Sequence, residues 1–188
     1  MSETITNETT GKSAVIEVES VIEPWMNPRD ETDTLSVMCV EHPRWNLGGG
    51  KHDLNAIPET IGITHGENPV EYFQREHGAR VVLALDLYEH SGLRMKARGL
   101  NDRREYPFND PWDAGMVGFV FDTPETRETV GAQDWSDDQI REALIEDVEI
   151  YDMYLQGEVY VVSCDDDSVG GILGYKYAVE QAQEMIAS

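Results

Sequence analysis

Short apolar runs alternate with polar turns along most of the chain, and their lengths are those of β-strands. Three runs rich in strand-forming residues are predicted to be central strands: residues 35–40, 80–88 and 114–121. The run 80–88 is apolar almost without interruption, which is typical of a strand buried on both faces. Residues 158–164 and 169–173 flank an acidic turn and are predicted to form a hairpin.

Three segments carry the signals that begin and end helices. Residues 69–77 follow an asparagine that suits the N-cap, start with proline and stop at a glycine. Ser136 and Gln139 form a capping box at the start of a long helix predicted over 137–156. A last helix is predicted over 175–186.

The beginning of the chain differs from the rest. Residues 1–30 are polar and acidic, so we expect a disordered acidic arm that holds at most a short strand at 14–18. Residues 31–188 then form a single domain. Strands interspersed with helices and hairpin signals predict an α+β fold, with one mixed β-sheet packed against three or four helices.

The charge of the chain is strongly negative. It contains 37 Asp and Glu against 14 Lys and Arg, which gives a formal net charge of −23. Three explanations stay open: adaptation to a cytoplasm of molar salt, ordinary acidity, and mimicry of nucleic acid by carboxylates. The acids are spread through every segment, whereas a mimic is expected to gather them in stripes on helices. We therefore expect the cytoplasm of a salt-rich host cell.

Several classes of protein are excluded by what the sequence lacks. No apolar run approaches the length of a membrane span, and the N-terminus lacks the basic and apolar regions of a secretory signal. We therefore expect a soluble protein without a membrane partner. Cys39 and Cys164 lie in strand-like runs and are predicted to be buried free thiols.

The loop after the first central strand, residues 42–53, reads HPRWNLGGGKHD. A phosphate-binding P-loop needs the pattern GxxxxGK[ST]. Trp45 stands where its first glycine belongs, and His52 stands where the hydroxyl residue belongs. The glycines therefore indicate a turn that needs positive φ rather than a nucleotide site.

Polar side chains stand at or near the ends of the central strands, where they are expected to share one rim. His42, His90, Asp86 and Asp113 are candidates for acid–base catalysis, because an Asp beside a His suits a general base. His42, His52 and His90 would also offer imidazole ligands to Zn, Mn or Fe(II), so a divalent metal is the alternative to our first expectation that the chain has no cofactor. A purely structural role for the histidines stays open beside both.

A basic segment interrupts the acidic chain. Residues 94–104 contain five of its basic side chains, and we expect these to pair with acids of the same chain, with phosphate contact as the alternative. Because no nucleic-acid-reading motif accompanies them, no sequence-specific binding of nucleic acid is expected.

Four motifs follow one another in a recognisable order. They are His42-x-Arg44-x-Asn46-Leu47-Gly48, Tyr88-x-His90-Ser91-Gly92, Pro111-Trp112-Asp113-x-Gly115-x-Val117-Gly118 and Tyr151-Asp152-x-Tyr154-Leu155-x-Gly157-x-Val159-Tyr160. Over residues 28–187 this order resembles a family of uncharacterised accessory proteins of tailed viruses and prophages. The resemblance implies a virus-encoded protein outside the virion, and it carries no known activity. Ala114 and Met116 depart from it, because serine and glutamine are usual at those positions.

Six residues in and beside these motifs are expected to line a binding surface: Arg44, Asn46, His52, Ser91, Trp112 and Tyr154. The first hypothesis is therefore a soluble, virus-encoded accessory protein that binds a host protein, such as a component of host defence. The second is a small metal-assisted hydrolase that uses the His/Asp rim. The third is an acidic nucleic-acid mimic. The sequence defines neither the partner nor the oligomeric state.

Overall fold

The computed structural model describes residues 2–30, 33–54, 56–61, 66–100, 107–108, 110 and 112–187. It has an α+β fold with two antiparallel sheets of four strands each. The chain forms two compact units. The first consists of Met1–Asn27 and Met153–Ser188, and the second of Pro28–Asp152.

The elements follow one another in a fixed order along the chain. The strands are β1 (Ser2–Thr6), β2 (Ser13–Val18), β3 (Val37–Val40), β4 (Val82–Glu89), β5 (Leu93–Gly99), β6 (Ala114–Phe121), β7 (Val159–Cys164) and β8 (Asp167–Leu173). The helices are α1 (Pro69–His77), α2 (Pro124–Thr129), α3 (Asp137–Leu155) and α4 (Tyr175–Ala187). The predicted strands and helices from residue 35 onward are thus confirmed, with ends that shift by one or two residues.

The first unit is a sheet of order β1-β2-β7-β8 covered by α4. Ala178, Ala182 and Ile186 recur every four residues, so they lie on one face of the helix. They pack on the inward side chains of the two central strands, among them Ala14 and Val162. Small residues let the helix approach the sheet closely, and all of these side chains are buried.

The prediction of a disordered arm over residues 1–30 is wrong. β1 pairs with β2, and β2 pairs with β7. The paired residues of β2 and β7 are more than 140 positions apart in the sequence. Ala14 and Ile16 are buried by this pairing. The segment reads as polar because only its alternate positions face a core, and the strand that buries them lies at the other end of the chain. The chain therefore does not divide into an arm and one domain.

The second unit contains a sheet of order β3-β6-β4-β5. Phe73 of α1 is buried on one face of it and stacks on Phe121 with ring centroids 4.3 Å apart. The apolar run of β4 is buried on both faces, as the sequence predicts, since Leu83, Ala84 and Leu85 are all inaccessible.

The prediction of one mixed sheet is also wrong. Every strand pair in the described chain is antiparallel, and the strands form two separate sheets. The hairpins β4–β5 and β7–β8 account for part of this pattern, because consecutive strands joined by tight turns must run in opposite directions. Burial on both faces suggested a parallel sheet, but an antiparallel strand covered on both sides has the same apolar sequence.

Two glycines of β6 provide a matched test of the packing between β6 and β3. A Cβ at Gly118 would overlap the carbonyl oxygen of Cys39 on the neighbouring strand, whereas a Cβ at Gly115 would meet no atom within 4 Å. We expect Gly118→Ala to lower the free energy of unfolding by about 3 kcal/mol through steric overlap. Gly115→Ala should leave it unchanged or raise it by about 0.5 kcal/mol. Urea unfolding of both variants measures the difference, and equal stabilities would contradict this packing.

Candidate functional site

The topology of the second sheet brings three chain segments to one edge. β3 and β4 are both antiparallel to β6, which lies between them, so the ends of β3 and β4 flank the start of β6. Residues that follow β3, close β4 and precede β6 therefore converge. The structure brings His42 and Asp113 to this edge, and His90 lies beside Asp113.

A cleft of about 320 Å³ opens at this edge. Its lining comes from residues 41–44, from Leu87 and Glu89 at the end of β4, and from residues 112–117 at the start of β6. Because the lining belongs to three paired strands, backbone hydrogen bonds fix the positions of its walls. One of these joins the N–H of Glu41 to the carbonyl oxygen of Val117 at 3.1 Å.

Glu89 is the centre of a hydrogen-bond network on one side of the cleft. Its Oε2 accepts from Trp45 Nε1 at 2.6 Å and from Arg44 Nη2 at 2.8 Å. Its Oε1 lies 2.9 Å from His42 Nε2. Three side chains of the loop after β3 are thereby attached to the last residue of β4.

The hydrogen bond from Trp45 is the main reason why the pKa of Glu89 lies below its usual value. Arg44 and the neighbouring imidazole of His42 lower this pKa further, while partial burial opposes the shift. The group is therefore an ionised carboxylate at neutral pH and acts as an acceptor.

The two ring nitrogens of His42 are both engaged. Nδ1 accepts from the backbone N–H of Arg44 at 3.3 Å, so Nε2 carries the proton that is donated to Glu89. The imidazole therefore presents no unoccupied basic nitrogen to the cleft. This arrangement fits a structural role better than that of a general base.

A second His–carboxylate pair lies at the same edge. His90 Nδ1 is 3.0 Å from Asp113 Oδ2, and the side chains are 65% and 40% exposed. Asp113 lines the cleft and His90 does not. The two pairs use different carboxylates.

Trp112 stands at the mouth of the cleft with 92% of its surface exposed. The carboxylate of Asp110 holds the turn that carries it, accepting from the backbone N–H groups of Trp112 at 2.9 Å and Asp113 at 3.3 Å. These hydrogen bonds hold the backbone that carries the exposed ring. At Gly115, part of the lining, the absence of a side chain leaves open space.

A buried ion pair shapes the rest of the loop. Asp53 Oδ1 accepts from Arg29 Nη2 at 2.6 Å, and its two oxygens also accept from the backbone N–H groups of Met38 and Gly50. A Cβ at Gly50 would lie 2.5 Å from the carbonyl oxygen of Arg29. Gly48 and Gly49 have positive φ, which confirms the predicted turn.

The structure does not bring every predicted residue to this edge. Asp86 is buried and forms an ion pair with Arg98, and side chains alternate along β4, so Asp86 faces away from Glu89. His52 lies in the turn at 51–52, half-buried and outside the lining of the cleft.

Three of the predicted binding residues are also not part of the lining. Asn46 is exposed in the loop, and Ser91 occupies the exposed β4–β5 turn with φ of 61°. Tyr154 lies in the last turn of α3 and belongs to the first unit. Of the predicted binding residues, Arg44 and Trp112 line the cleft.

Sequence reasoning missed Glu89, Glu41 and Gly115. The alternation of side chains along a strand would have identified Glu89, because it places Glu89 on the face of Leu85 and Leu87 and excludes Asp86 from that face. No comparable signal marks Gly115, since its role depends on open space that only the folded chain shows.

The described part of the chain does not provide a set of metal ligands. No three His, Cys, Asp or Glu side chains within it are grouped as a metal site requires. His42 and His90 are instead paired with separate carboxylates.

The described residues of the basic segment 94–104 pair with acids of the chain. Arg94 pairs with Asp152, Lys96 with Glu149, and Arg98 with Asp86. Intramolecular pairing is thus confirmed for these three, while residues 101–104 lie outside the described residues.

One row of acids lies on a helix. Asp138, Glu142, Glu146 and Glu149 are exposed on α3 at spacings of three and four residues, so they share a face. Such a row is what the hypothesis of a nucleic-acid mimic predicts, although Lys96 pairs with its last member.

The network around Glu89 predicts a dependence of stability on pH. The lowered pKa means that Glu89 stabilises the fold above its unfolded value of 4.5, and that this contribution is lost as pH falls through the lower folded value. We expect Glu89→Gln to lower the free energy of unfolding by about 1–2 kcal/mol at pH 7. The difference from the unmodified chain should shrink below about pH 4.5. Unfolding in urea at pH 7, 5 and 3 measures it, and a constant difference would contradict this role.

The Arg29–Asp53 pair predicts a larger loss. Asp53→Asn leaves the buried guanidinium without its countercharge, so we expect the free energy of unfolding to fall by roughly 3 kcal/mol. Asp138→Asn, on the exposed side of α3, is the control and should change it by less than about 0.5 kcal/mol. The two midpoints in urea give the comparison. Similar midpoints would mean that the pair does not hold the loop.

Among the described residues, none of the helices combines the length and the apolar character that crossing a membrane requires. Comparisons of the chain with protein-family models, with curated proteins and with solved structures each found no match. An inference about function therefore depends on the geometry of the cleft.

Proposed function

We propose that this chain is a binding protein that docks a host protein on the cleft, with Trp112 as the anchor. The role is that of a virus-encoded accessory protein in the cytoplasm of a salt-rich host. The observation that carries the proposal is the exposure of Trp112, 92% of its surface, on a turn with a fixed backbone. Leaving so large an apolar ring in water forgoes the stability that burial in the chain's own core would provide.

The types of residue around the cleft support this proposal. Trp and Arg are enriched among the residues that dominate binding energy at protein interfaces. Trp112 stands on one side of the cleft, and Arg44 and Trp45, which are also exposed, belong to the segment that forms the other. A large apolar surface beside charged groups is the usual anatomy of an interface core and its rim.

Preorganisation supports it further. Glu89 holds Arg44 and Trp45, and Asp110 holds the backbone of Trp112, before any partner arrives. Side chains that are already ordered lose less entropy on binding, which favours affinity.

The hydrolase hypothesis has less support. A general base needs a free acceptor atom, but Nδ1 of His42 already accepts from Arg44, and both oxygens of Glu89 are engaged by the side chains of residues 42, 44 and 45. The remaining pair, His90 and Asp113, is not part of a group of metal ligands within the described residues.

Partner capture with matched variants tests the proposal. The immobilised chain is incubated with extract of a salt-rich host in concentrated KCl, and bound proteins are quantified by mass spectrometry. Trp112→Ala should reduce capture of the specific partner by about tenfold or more, the effect of losing a hot-spot residue. Trp25→Ala is the control, because Trp25 is 63% exposed and lies in the other unit.

A further variant separates docking from mimicry. Glu142→Gln with Glu146→Gln removes two charges from the row on α3 without touching the cleft. Loss of capture with this double variant and not with Trp112→Ala would replace the docking proposal by the nucleic-acid mimic. Equal capture by Trp112→Ala, Trp25→Ala and the unmodified chain would reject the role of Trp112.

A further inference from the structure

We infer that the cleft accepts an arginine side chain of the partner, with its guanidinium stacked on Trp112 and paired with the carboxylates of the lining. This inference rests on the proposed docking function and names the chemistry that the docked segment presents. It depends on the charges, the aromatic surface and the open space of the cleft taken together.

The charges of the lining leave an excess of carboxylates. Glu41, Glu89 and Asp113 come from the three segments that converge at the edge. Arg44, the cation of the lining, binds Glu89 and so offsets that carboxylate alone, and His42 donates its Nε2 proton to the same group.

The other two carboxylates are available to a ligand. Glu41 is exposed and has no ion-pair partner among the residues that the structure describes. Asp113 is paired only with His90, which lies outside the lining and is itself exposed. An anionic ligand would therefore meet repulsion here, whereas a cation would gain two further carboxylate partners.

The aromatic surface favours a guanidinium over other cations. A guanidinium is planar, stacks on aromatic faces and binds carboxylates through two parallel hydrogen bonds. Trp gives the strongest attraction to a cation among the aromatic side chains. Trp112 provides such a surface at the mouth of the cleft, beside Asp113 in the sequence.

The open space at Gly115 provides room for the aliphatic stem. Gly115 pairs with Leu87 on β4, and both line the cleft. Its missing side chain leaves open space in the lining for the methylene groups of an arginine.

The charge of the whole chain acts in the same direction. Seven arginines are paired with carboxylates of the chain itself: Arg29, Arg44, Arg75, Arg80, Arg94, Arg98 and Arg127. Half of the 14 Lys and Arg side chains are thus neutralised internally in a chain of net charge −23, and the field outside it attracts cations. At about 1 M salt this field is screened within about 3 Å, so the contacts inside the cleft must supply the selectivity.

Titration with short blocked peptides tests the inference directly. The probes are acetyl-Gly-Arg-Gly-amide, its citrulline counterpart, which has the same shape without the charge, and the glutamate counterpart. Binding is followed by ¹H–¹⁵N NMR at 0.1 M and 2 M KCl, through the indole signals of Trp112 and Trp45 and the amide signal of Gly115. The arginine peptide should bind about tenfold more tightly than the citrulline peptide.

Variants of the cleft assign the contacts. Glu41→Gln should weaken binding of the arginine peptide several-fold, and Gly115→Phe, which fills the floor without strain in φ, should abolish it. Glu142→Gln on α3 is the control for loss of one exposed acid and should leave binding unchanged. Thermal melts of each variant establish that it is folded.

The outcomes separate this inference from the proposed function. Equal binding of the arginine and citrulline peptides, or binding that Glu41→Gln and Gly115→Phe leave intact, would overturn the arginine pocket. A host partner whose capture still required Trp112 would then keep the docking function, with a neutral segment as its occupant. Conversely, selective arginine binding without any Trp112-dependent host partner would leave the pocket and reject the docking function.

Discussion

The cleft depends on one buried ion pair, Arg29 with Asp53. The carboxylate accepts from the guanidinium and from two backbone N–H groups, at Met38 in β3 and at Gly50 in the loop that follows. The side chain of Asp53 thus joins β3 to the loop that follows this strand. Because the loop is closed in this way, residues 42–45 lie toward β4. Glu89 completes the attachment on the other side. A polar chain without a large apolar loop core can hold a defined shape in this way, because every buried charge has its partner.

The same device recurs at two further places in the second unit. Asp122 is buried, accepts from the N–H groups of Arg80 and Val81, and pairs with Arg127. Asp152 accepts from the N–H of Met95 and pairs with Arg94. In each case an aspartate fixes the start or edge of a strand and an arginine neutralises it. In all three pairs the carboxylate side chain is at most 6% exposed.

Local patterns predicted the elements well and their assembly poorly. Helix α1 begins at a proline and ends at a glycine, and α3 begins with a capping box. These features involve residues that are close in sequence, so they can be predicted from the sequence alone. The pairing of β2 with β7 joins opposite ends of the chain, and nothing within residues 13–18 specifies it. At the site, the histidines were predicted from residue type alone. Glu89 lines the cleft because of the face of β4 on which it lies, whereas Asp86 points to the opposite face and is buried.

Two glycines of β6, Gly115 and Gly118, differ in whether their surroundings leave room for a side chain. Gly118 is locked by the backbone of β3, so any larger residue there is selected against by folding alone. A Cβ at Gly115 would meet no atom within 4 Å, and the φ of Gly115 is not positive, so its backbone conformation is open to other residues. An alanine at Gly115 would therefore meet no neighbouring atom, and the depth of the cleft can be changed there without disturbing the contact of Gly118 with β3. If the cleft binds the proposed partner, its specificity can change at this one codon without prior stabilising mutations elsewhere.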